Sequence, residues 1–216
     1  MAGNESVLFS AVEAEAEKRA EQYAIAQIIN PMPVTAAAGE SASGKGRISL
    51  PWNPGSSISS LTLIQSAENW LGQINDAVLV CSPPALYRPV EALVPAEIET
   101  RINTQIKGWF FLVRELALYF RARSSGTLAL VLPETGPAGG ESPSDLLGSS
   151  ASASFHSLVQ GLLSCASAEP FKILGFLLSG ADQEKEFSAW LFKILDEGSR
   201  KNSGKWHKYN RFTLLK

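Results

Sequence analysis

The chain has 216 residues, 45% of them hydrophobic, which is enough to bury a sizeable core. Its 19 basic and 21 acidic residues give a formal charge of −2, so the whole molecule has no electrostatic attraction to nucleic acid or anionic membranes. Two cysteines, Cys81 and Cys165, are too few for a disulfide scaffold, and no run approaches the roughly 18 apolar residues of a membrane span. We expect a soluble, cytoplasmic protein with one domain over residues 1–216.

Hydrophobic periodicity divides the chain into alternating strands and helices. Apolar runs without alternation, such as DAVLVCS and TLALVLP, are typical of strands buried on both faces. In chain order the pattern predicts a strand at 6–12, a helix at 13–26, a possible edge strand at 27–34, a loop at 35–46, a strand at 47–52, a helix at 56–72, a strand at 76–82, a helix at 95–123, a strand at 127–133, a loop at 134–150, a helix at 154–169, a strand at 171–180, a helix at 183–199 and a possible last strand at 205–215. This alternation predicts a three-layer α/β fold, with a mostly parallel sheet and helices on both faces.

Five phrases in this order resemble the short-chain dehydrogenase/reductase family, whose ketoacyl reductases are nicotinamide enzymes with a Rossmann-type sheet. WLGQINDAVLV resembles the family's approach to its fourth strand, INTQIKGWFFLVRELALYF its long interface helix, and GTLALVLP its fifth strand. HSLVQGLLSCASAE with FKILGFLLSG resembles its catalytic helix and sixth strand, and SGKWHKYNRFTLL its terminal segment. The resemblance implies a doubly wound sheet and a dinucleotide crevice.

The family's catalytic residues are not found at the corresponding positions. The family uses a Tyr as proton donor, and a Lys four residues later lowers the pKa of that Tyr. Alignment through LVQGL places these roles on Ser152 and His156, and a shift of one residue places them on Ala151 and Phe155. The helix Asn corresponds to Gln105. The strand-end Ser falls near Pro133 to Thr135, where Thr135 is the only hydroxyl.

The family's glycine-rich phosphate turn is also missing. No glycine lies between Gly3 and Gly39, and Glu13, Glu15 and Glu17 are expected to crowd the start of the first helix. Carboxylates there would repel a bound phosphate. An alternative alignment makes 6–12 the second strand, with the first strand and its turn missing, and leads to the same conclusion. The sequence therefore predicts no cofactor and no metal.

Two further motifs match chemistry only in part. GESASGKG at 39–46 has P-loop spacing up to Lys45, but Gly46 replaces the Ser or Thr and a strand-like segment follows. We therefore expect a solvated loop. Ser154, His156 and Ser157 lack a carboxylate that could orient the imidazole, so a polar helix start is the preferred interpretation.

Two surfaces are candidates for partners. The helices at 95–123 and 154–169 are predicted to pair two subunits, as in the family, which makes a homo-oligomer the expected state. The interface candidates on these helices are Ile102, Ile106, Trp109, Phe110, Val113 and Leu162. The basic segment 200–211 mixes cations with aromatic residues and could bind anions or nucleic acid, although solvated charges are the preferred interpretation.

These observations predict a reductase-like pseudoenzyme with a binding, assembly or regulatory role. The former catalytic cleft would be marked by Pro83, Gln105, Glu134, Ser152 and His156. The alternative is a divergent oxidoreductase that still binds NAD(P)H and takes its proton from Glu134, His156 or water. A third interpretation is an anion or nucleic-acid binder that uses the C-terminal basic segment.

Overall fold

The computed structural model describes residues 1–3, 6–28, 46–134, 145–180 and 182–209. Within these ranges, seven strands form one parallel sheet with the order β3-β2-β1-β4-β5-β6-β7. The elements are β1 (Ala2–Gly3), α1 (Val7–Arg19), β2 (Tyr23–Ile28), β3 (Arg47–Trp52), α2 (Ser57–Leu71), β4 (Asp76–Val80), α3 (Pro95–Ile102), α4 (Gly108–Arg123), β5 (Thr127–Pro133), α5 (Leu146–Cys165), β6 (Lys172–Leu178), α6 (Glu184–Asp196) and β7 (Lys205–Tyr209). The strand order reverses between β1 and β4, and this reversal is the point where doubly wound sheets bind ligands.

Apolar layers cover both faces of the sheet. The layer beneath α2, α4 and α5 includes Trp52, Trp109 and Phe155, whereas the layer beneath α1 and α6 includes Phe9 and Phe187. Strands β4, β5 and β6 contribute side chains to both layers, which explains their continuous apolar sequences. The predicted three-layer α/β class is confirmed.

The first elements of the chain differ from the prediction. The predicted strand at 6–12 is the start of α1, because the Ser6 side chain accepts a hydrogen bond from Phe9 N–H at 3.1 Å and caps a helix that begins at Val7. The first strand is β1, which also contradicts the alignment that lacks a first strand. The second strand is β2, not the predicted 27–34. Residues 29–45 lie outside the described residues.

The long helix predicted at 95–123 is interrupted by a π-helical segment, Asn103–Lys107, between α3 and α4. The N–H of Gly108 bonds to the carbonyl of Asn103, five residues earlier. Gly108 packs on the loop after β3, where a Cβ atom at Gly108 would lie 2.4 Å from Pro54 Cβ. A bulge of this kind is frequent at functional sites and shifts the register of the side chains that follow it.

Helix α5 begins eight residues before the predicted 154. The Asp145 carboxylate accepts a hydrogen bond from Gly148 N–H at 2.9 Å and caps the first turn. The end of the predicted loop at 134–150 is therefore helical, while 135–144 lies outside the described residues. Among the helices of the described ranges, none has the length and apolar content needed to cross a membrane.

Candidate functional site at the carboxyl edge of the sheet

The candidate site lies where the carboxyl ends of the parallel strands meet. Gly3 ends β1, Val80 ends β4, Pro133 ends β5 and Leu178 ends β6. Their neighbours in the register confirm that these ends share one edge, since Gly3 pairs with Val80 and Pro133 with Leu178. Side chains on the segments that follow these strands are the ones available to a ligand.

The aromatic ring of Phe9 packs against the end of β1. A Cβ atom on Gly3 would lie 2.5 Å from Phe9 Cδ2 and 2.8 Å from the Val80 carbonyl oxygen. Gly3 thus serves the close packing of α1 on the sheet, and Val7 stands 73% exposed at the first helical position. The hydroxyl of Ser6 already pairs with one N–H of this helix terminus.

The predicted crowding of acidic residues at the start of α1 is wrong. Because α1 begins at Val7, its first turn contains no acidic residue, and Glu13, Glu15 and Glu17 lie in its second half. Glu15 accepts hydrogen bonds from Lys18 at 3.0 Å and Arg19 at 2.7 Å. These two bonds, that from Arg19 first, lower the pKa of the Glu15 carboxyl. The Glu15 pairs therefore support the second half of the helix, and none of the three carboxylates lies at its start.

Helix α5 presents an apolar side and a polar side. Ala151 and Phe155 are buried, and Phe155 contacts Trp109 edge to face, with ring centroids 5.2 Å apart. Trp109 in turn lies 5.7 Å from Trp52. We call Trp52, Trp109 and Phe155 the aromatic row. It links β3, α4 and α5 beneath the carboxyl edge.

The two hydrophilic residues predicted on α5 are separated by the structure. Ser152 is buried, whereas His156 is exposed and stacks on Trp206 of β7, with ring centroids 4.8 Å apart and planes inclined by 11°. Trp206 also donates a hydrogen bond from Nε1 to Gln160 Oε1 at 2.9 Å. His156 therefore has a packing partner at the side of α5 that faces the last strand.

Gln105 is the buried polar residue of the π-helical segment, and α5 packs against that segment. Both Gln105 and Ser152 are thus enclosed in the protein. Pro83 is partly exposed in the segment that follows β4. A hydrogen bond connects this segment to α3, since Arg101 Nη1 donates to the Pro84 carbonyl oxygen at 2.6 Å.

Glu134 is the centre of a polar cluster on three strands. Its carboxylate accepts a hydrogen bond from Ser179, which follows β6, and pairs with Lys208 of β7 at 2.9 Å. These two partners, Ser179 first, lower the pKa of the Glu134 carboxyl. Of the five predicted cleft residues, Glu134 alone is both exposed and held by described polar side chains at this edge. We call Glu134, Ser179 and Lys208 the edge cluster.

Cys81 follows β4 and is fully buried beside the aromatic row. Burial raises the pKa of its thiol well above the ordinary value, and the nearby indole of Trp109 offsets this only in part. A neutral, enclosed thiol is a poor nucleophile. Cys81 is therefore part of the core at this edge.

The structure describes the last residue of the P-loop-like sequence and most of the basic segment. Gly46 has φ of +81° and leads directly into β3, so no helix follows the P-loop-like sequence, whose other residues at 39–45 lie outside the described ranges. In the basic segment, Trp206 and His207 pack against α5 and Phe176, respectively. These rings are occupied by contacts within the chain and do not form a free stacking surface.

The interface candidates divide between core and surface. Trp109 and Val113 are buried within the single chain, so they offer no surface to a second subunit. Ile102 and Phe110 are 45% and 48% exposed, while Ile106 and Leu162 are partly exposed. Most of the apolar residues of α4 thus pack in the core of the chain, and a smaller set remains at the surface.

No protein-family model matches the sequence, and no curated protein matches it significantly. Solved structures do match. A dehydrogenase/reductase from Sinorhizobium meliloti 1021 has a TM-score of 0.69 at 10% identity, covering 93% of this chain and 88% of that one. A metagenomic short-chain oxidoreductase in complex with NADP has a TM-score of 0.69 at 11% identity, covering 94% and 92%. A short chain dehydrogenase from Mycobacterium smegmatis has a TM-score of 0.64 at 15% identity, covering 77% of this chain and 72% of that one.

This chain has the short-chain dehydrogenase/reductase fold. The fold implies a dinucleotide at the carboxyl edge, so the residues present there can be tested for fit. A dinucleotide turn needs backbone that can approach the pyrophosphate closely, which glycines at the helix start normally allow. Residues 6–19 contain no glycine, and the ring of Phe9 already occupies the space beside Gly3. The described part of the turn does not fit a tightly held pyrophosphate.

Sequence reasoning missed two features of this short-chain-reductase-like edge. Glu134 and Lys208 lie 74 positions apart, and no local motif connects them. The aromatic row joins residues from three elements whose apolar character alone gave no sign of mutual contact. The one signal in the sequence that indicates the edge cluster is a charged residue directly after a buried strand. Glu134 shows this signal, and it was the only member of the cluster to be predicted.

Proposed function

We propose that this protein is a pseudoenzyme with the short-chain reductase fold, serving binding, assembly or regulation without nicotinamide-dependent turnover. The observation that carries the proposal is helix α5, whose sequence LLGSSASASFHSLVQGLLSC contains neither Tyr nor Lys. Reduction of a carbonyl requires a group that supplies a proton beside the hydride acceptor. Whichever register is used, the two positions hold Ser152 and His156 or Ala151 and Phe155.

The environment of these positions supports the proposal. Phe155 is committed to the aromatic row, and His156 stacks on Trp206. The Ser152 hydroxyl is enclosed and, as an aliphatic alcohol, is far too weak an acid to replace a phenol with a lowered pKa. Helix α5 therefore retains the packing residues of a reductase helix, and its reactive positions carry side chains suited to packing.

The edge cluster and the segment near Pro83 would form the binding surface of such a pseudoenzyme. Glu134 and Lys208 are both exposed, so this surface presents an ion pair to a ligand. A small polar molecule or a charged protein segment fits that chemistry. That the chain forms one domain and resides in the cytoplasm stays a prediction.

We propose that α4 and α5 also pair two copies of this chain. Ile102 at the end of α3 and Phe110 in the first turn of α4 supply exposed apolar surface. A two-fold axis would bring the same patch of each subunit together. Sedimentation velocity on Phe110→Glu tests this pairing, with Ile58→Glu on α2 as the matched control, since Ile58 is 75% exposed on another helix. A dimer that persists in Phe110→Glu would contradict it.

A turnover assay tests the pseudoenzyme proposal. The purified chain is incubated with NADPH or NADH and a panel of ketones, aldehydes and thioester ketoacids, and nicotinamide oxidation is followed by absorbance. We expect no substrate-dependent oxidation. Substrate-dependent turnover that scales with protein concentration would refute the proposal, provided that it stays with the protein through a second purification step.

A divergent oxidoreductase is the second candidate, and the edge cluster is the observation that favours it. Glu134 is an ionisable group at the end of β5, which lies beside β4 and thus one strand away from the strand-reversal point. However, its lowered pKa keeps the carboxyl ionised near neutral pH, so it carries no proton to donate. If turnover is detected, Glu134→Gln and His156→Gln should separate the two candidate donors, with Glu197→Gln, an exposed carboxylate elsewhere, as control. Loss in one variant alone would assign the donor.

A further inference from the structure

The last strand of the sheet, β7, has a neighbouring strand on one side. It pairs with β6 along its whole length, from Leu174 with Lys205 to Leu178 with Tyr209. The strand order ends with β7, so within the described ranges no strand lies on its other side. A strand in this position presents a row of backbone N–H and C=O groups to which another extended chain can bond.

Hydrogen bonds to β6 show which backbone groups of β7 point outward. The N–H of Ser179, directly after β6, donates to the Tyr209 carbonyl at 3.0 Å, so Tyr209 faces β6. Alternate residues of a parallel strand direct their N–H and C=O groups to the same side, and the alternate residues before Tyr209 therefore share this direction. The backbone groups of Trp206 and Lys208, which lie between them, point away from the sheet.

Side-chain contacts hold β7 in place on both faces of the sheet. Trp206 stacks on His156 at the side of α5. On the opposite face, His207 stacks on Phe176, and its Nε2 donates to the Asn202 carbonyl oxygen at 2.9 Å. The outward backbone groups of β7 are thus already fixed in strand geometry. A bound chain would not have to order them, which lowers the cost of binding.

The strand and the turn before it are basic. Between residues 200 and 209 the chain has no acidic residue and four basic ones, Arg200, Lys201, Lys205 and Lys208. Lys208 pairs with Glu134, whereas Lys201 and Lys205 form no ion pair with a carboxylate of the described residues. Glu197, directly after α6, accepts a hydrogen bond from a side chain of this turn at 3.4 Å. Because side chains alternate along a strand, Lys208 lies on the α5 face with Trp206, and Lys205 lies on the α6 face.

These charges distinguish between the chains that would extend the sheet. A second copy would bring two sets of cations together, and lysines on an edge strand are a common protection against such self-pairing. An extended segment with carboxylates would instead pair with the lysines. Nucleic acid is a poorer match, because the rings of Trp206 and His207 are stacked within the chain and a sugar–phosphate backbone has no N–H donors for the outward carbonyls.

We propose that the outward edge of β7 binds an acidic, extended segment of another protein as an added strand. The backbone of the segment bonds to the N–H and C=O groups of Trp206 and Lys208, and its carboxylates lie beside Lys205 and Lys208. These two lysines are about 10 Å apart along the strand and lie on opposite faces. Acidic residues with the same separation in the segment therefore fit them best. This is strand addition, in which main-chain bonds give affinity and side chains give specificity.

Calorimetric titration with acetyl-Thr-Glu-Val-Thr-Glu-Thr-amide tests the proposal. The matched control is the same peptide with Lys in place of both Glu residues. We expect saturable binding of the acidic peptide that weakens as salt is raised, because exposed ion pairs are screened. The basic peptide should bind at least about tenfold more weakly. This comparison uses the unaltered protein, so it does not depend on whether any variant folds.

Two substitutions at Lys208 separate the backbone contribution from the charge. Lys208→Gln removes the ammonium and keeps the outward N–H, whereas Lys208→Pro removes both. A proline is tolerated on an edge strand where the N–H side faces solvent. We expect Lys208→Pro to bind the acidic peptide at least about fivefold more weakly than Lys208→Gln, because a backbone hydrogen bond is lost.

Charge reversal gives a second test that leaves the backbone unchanged. Lys205→Glu should weaken binding of the acidic peptide at least about tenfold, while Lys18→Glu, an exposed position on α1, should leave it unchanged. Circular dichroism checks that all variants are folded.

Absence of binding up to millimolar acidic peptide, equal binding of the basic peptide, or equal binding by folded Lys208→Gln and Lys208→Pro would each overturn the proposal. Full binding by Lys205→Glu would do the same. Single-stranded oligothymidylate that binds more tightly and displaces the peptide would replace the proposal by nucleic-acid binding. These titrations contain no nicotinamide, so their outcome is independent of whether the chain catalyses turnover at the carboxyl edge.

Discussion

Replacement of Phe155 by Ala should lower the free energy of unfolding substantially, because Phe155 fills a core position of α5. The ring is 1% exposed and contacts Trp109 edge to face. Loss of a buried Phe costs about 3–5 kcal/mol, of which the aromatic pair accounts for about 0.5–1.5 kcal/mol. Phe155→Leu keeps most of the apolar volume, so its free energy of unfolding should fall less than that of Phe155→Ala. Phe155→Lys should destabilise at least as strongly as Phe155→Ala, because it places an ammonium in the core.

Urea unfolding followed by circular dichroism measures these differences, with the slope of the transition used to confirm that the unfolded states are comparable. The matched control is His156→Ala, one residue along the same helix. It removes an exposed stack on Trp206 and should cost less than about 1.5 kcal/mol. Equal losses at the two positions, or a loss below about 1 kcal/mol for Phe155→Ala, would refute the assignment of Phe155 to packing.

Three more predictions follow from particular contacts. Gly108→Ala should destabilise by about 1–3 kcal/mol because its Cβ would meet Pro54, whereas Gly161→Ala, with open space around it, should stabilise by about 0.5–1 kcal/mol in the same unfolding assay. Burial lowers the pKa of His207 below 6.5. The contribution of the neutral imidazole to stability is therefore present above pH 6.5 and is lost as pH falls below that value. His207→Gln should flatten this part of the profile of unfolding temperature against pH. Glu134→Gln should cost less than about 1 kcal/mol at neutral pH, since the ion pair is exposed, and the difference should disappear as pH falls below 4.5 through the lowered pKa of the carboxyl. A pH-independent difference for either variant would contradict the assigned pKa direction.

The sequence predicted the middle of the sheet well because burial on both faces leaves a strong signal. The apolar runs of β4, β5 and β6 stand out from their surroundings, and their alternation with helices determines a parallel sheet. The ends of elements were harder. In SVLFSAV the β-branched and aromatic residues suggest a strand, yet the Ser6 cap begins a helix at the next residue. A two-residue strand such as β1 carries no periodicity to detect.

At the site, the residue types on α5 could be read from the sequence, whereas the directions of their side chains could not. The absence of Tyr and Lys from α5 can be seen in the sequence itself, whatever the register. The direction of each side chain could not be read, because the π-helical segment and the early start of α5 decide which residues face the core. Trp109 and Val113 were placed at an interface for that reason, although both lie inside the chain.

Titration with NADPH tests the central claim most directly, since the claim concerns a carboxyl edge that neither holds a dinucleotide nor transfers a proton. The five Trp residues of the chain, with Trp52 and Trp109 buried beneath this edge, serve as energy donors to bound nicotinamide. We predict no saturable energy transfer up to millimolar NADPH and no rise in unfolding temperature. Saturable transfer that is displaced by NADP⁺, together with a concentration-dependent rise in unfolding temperature, would contradict the account.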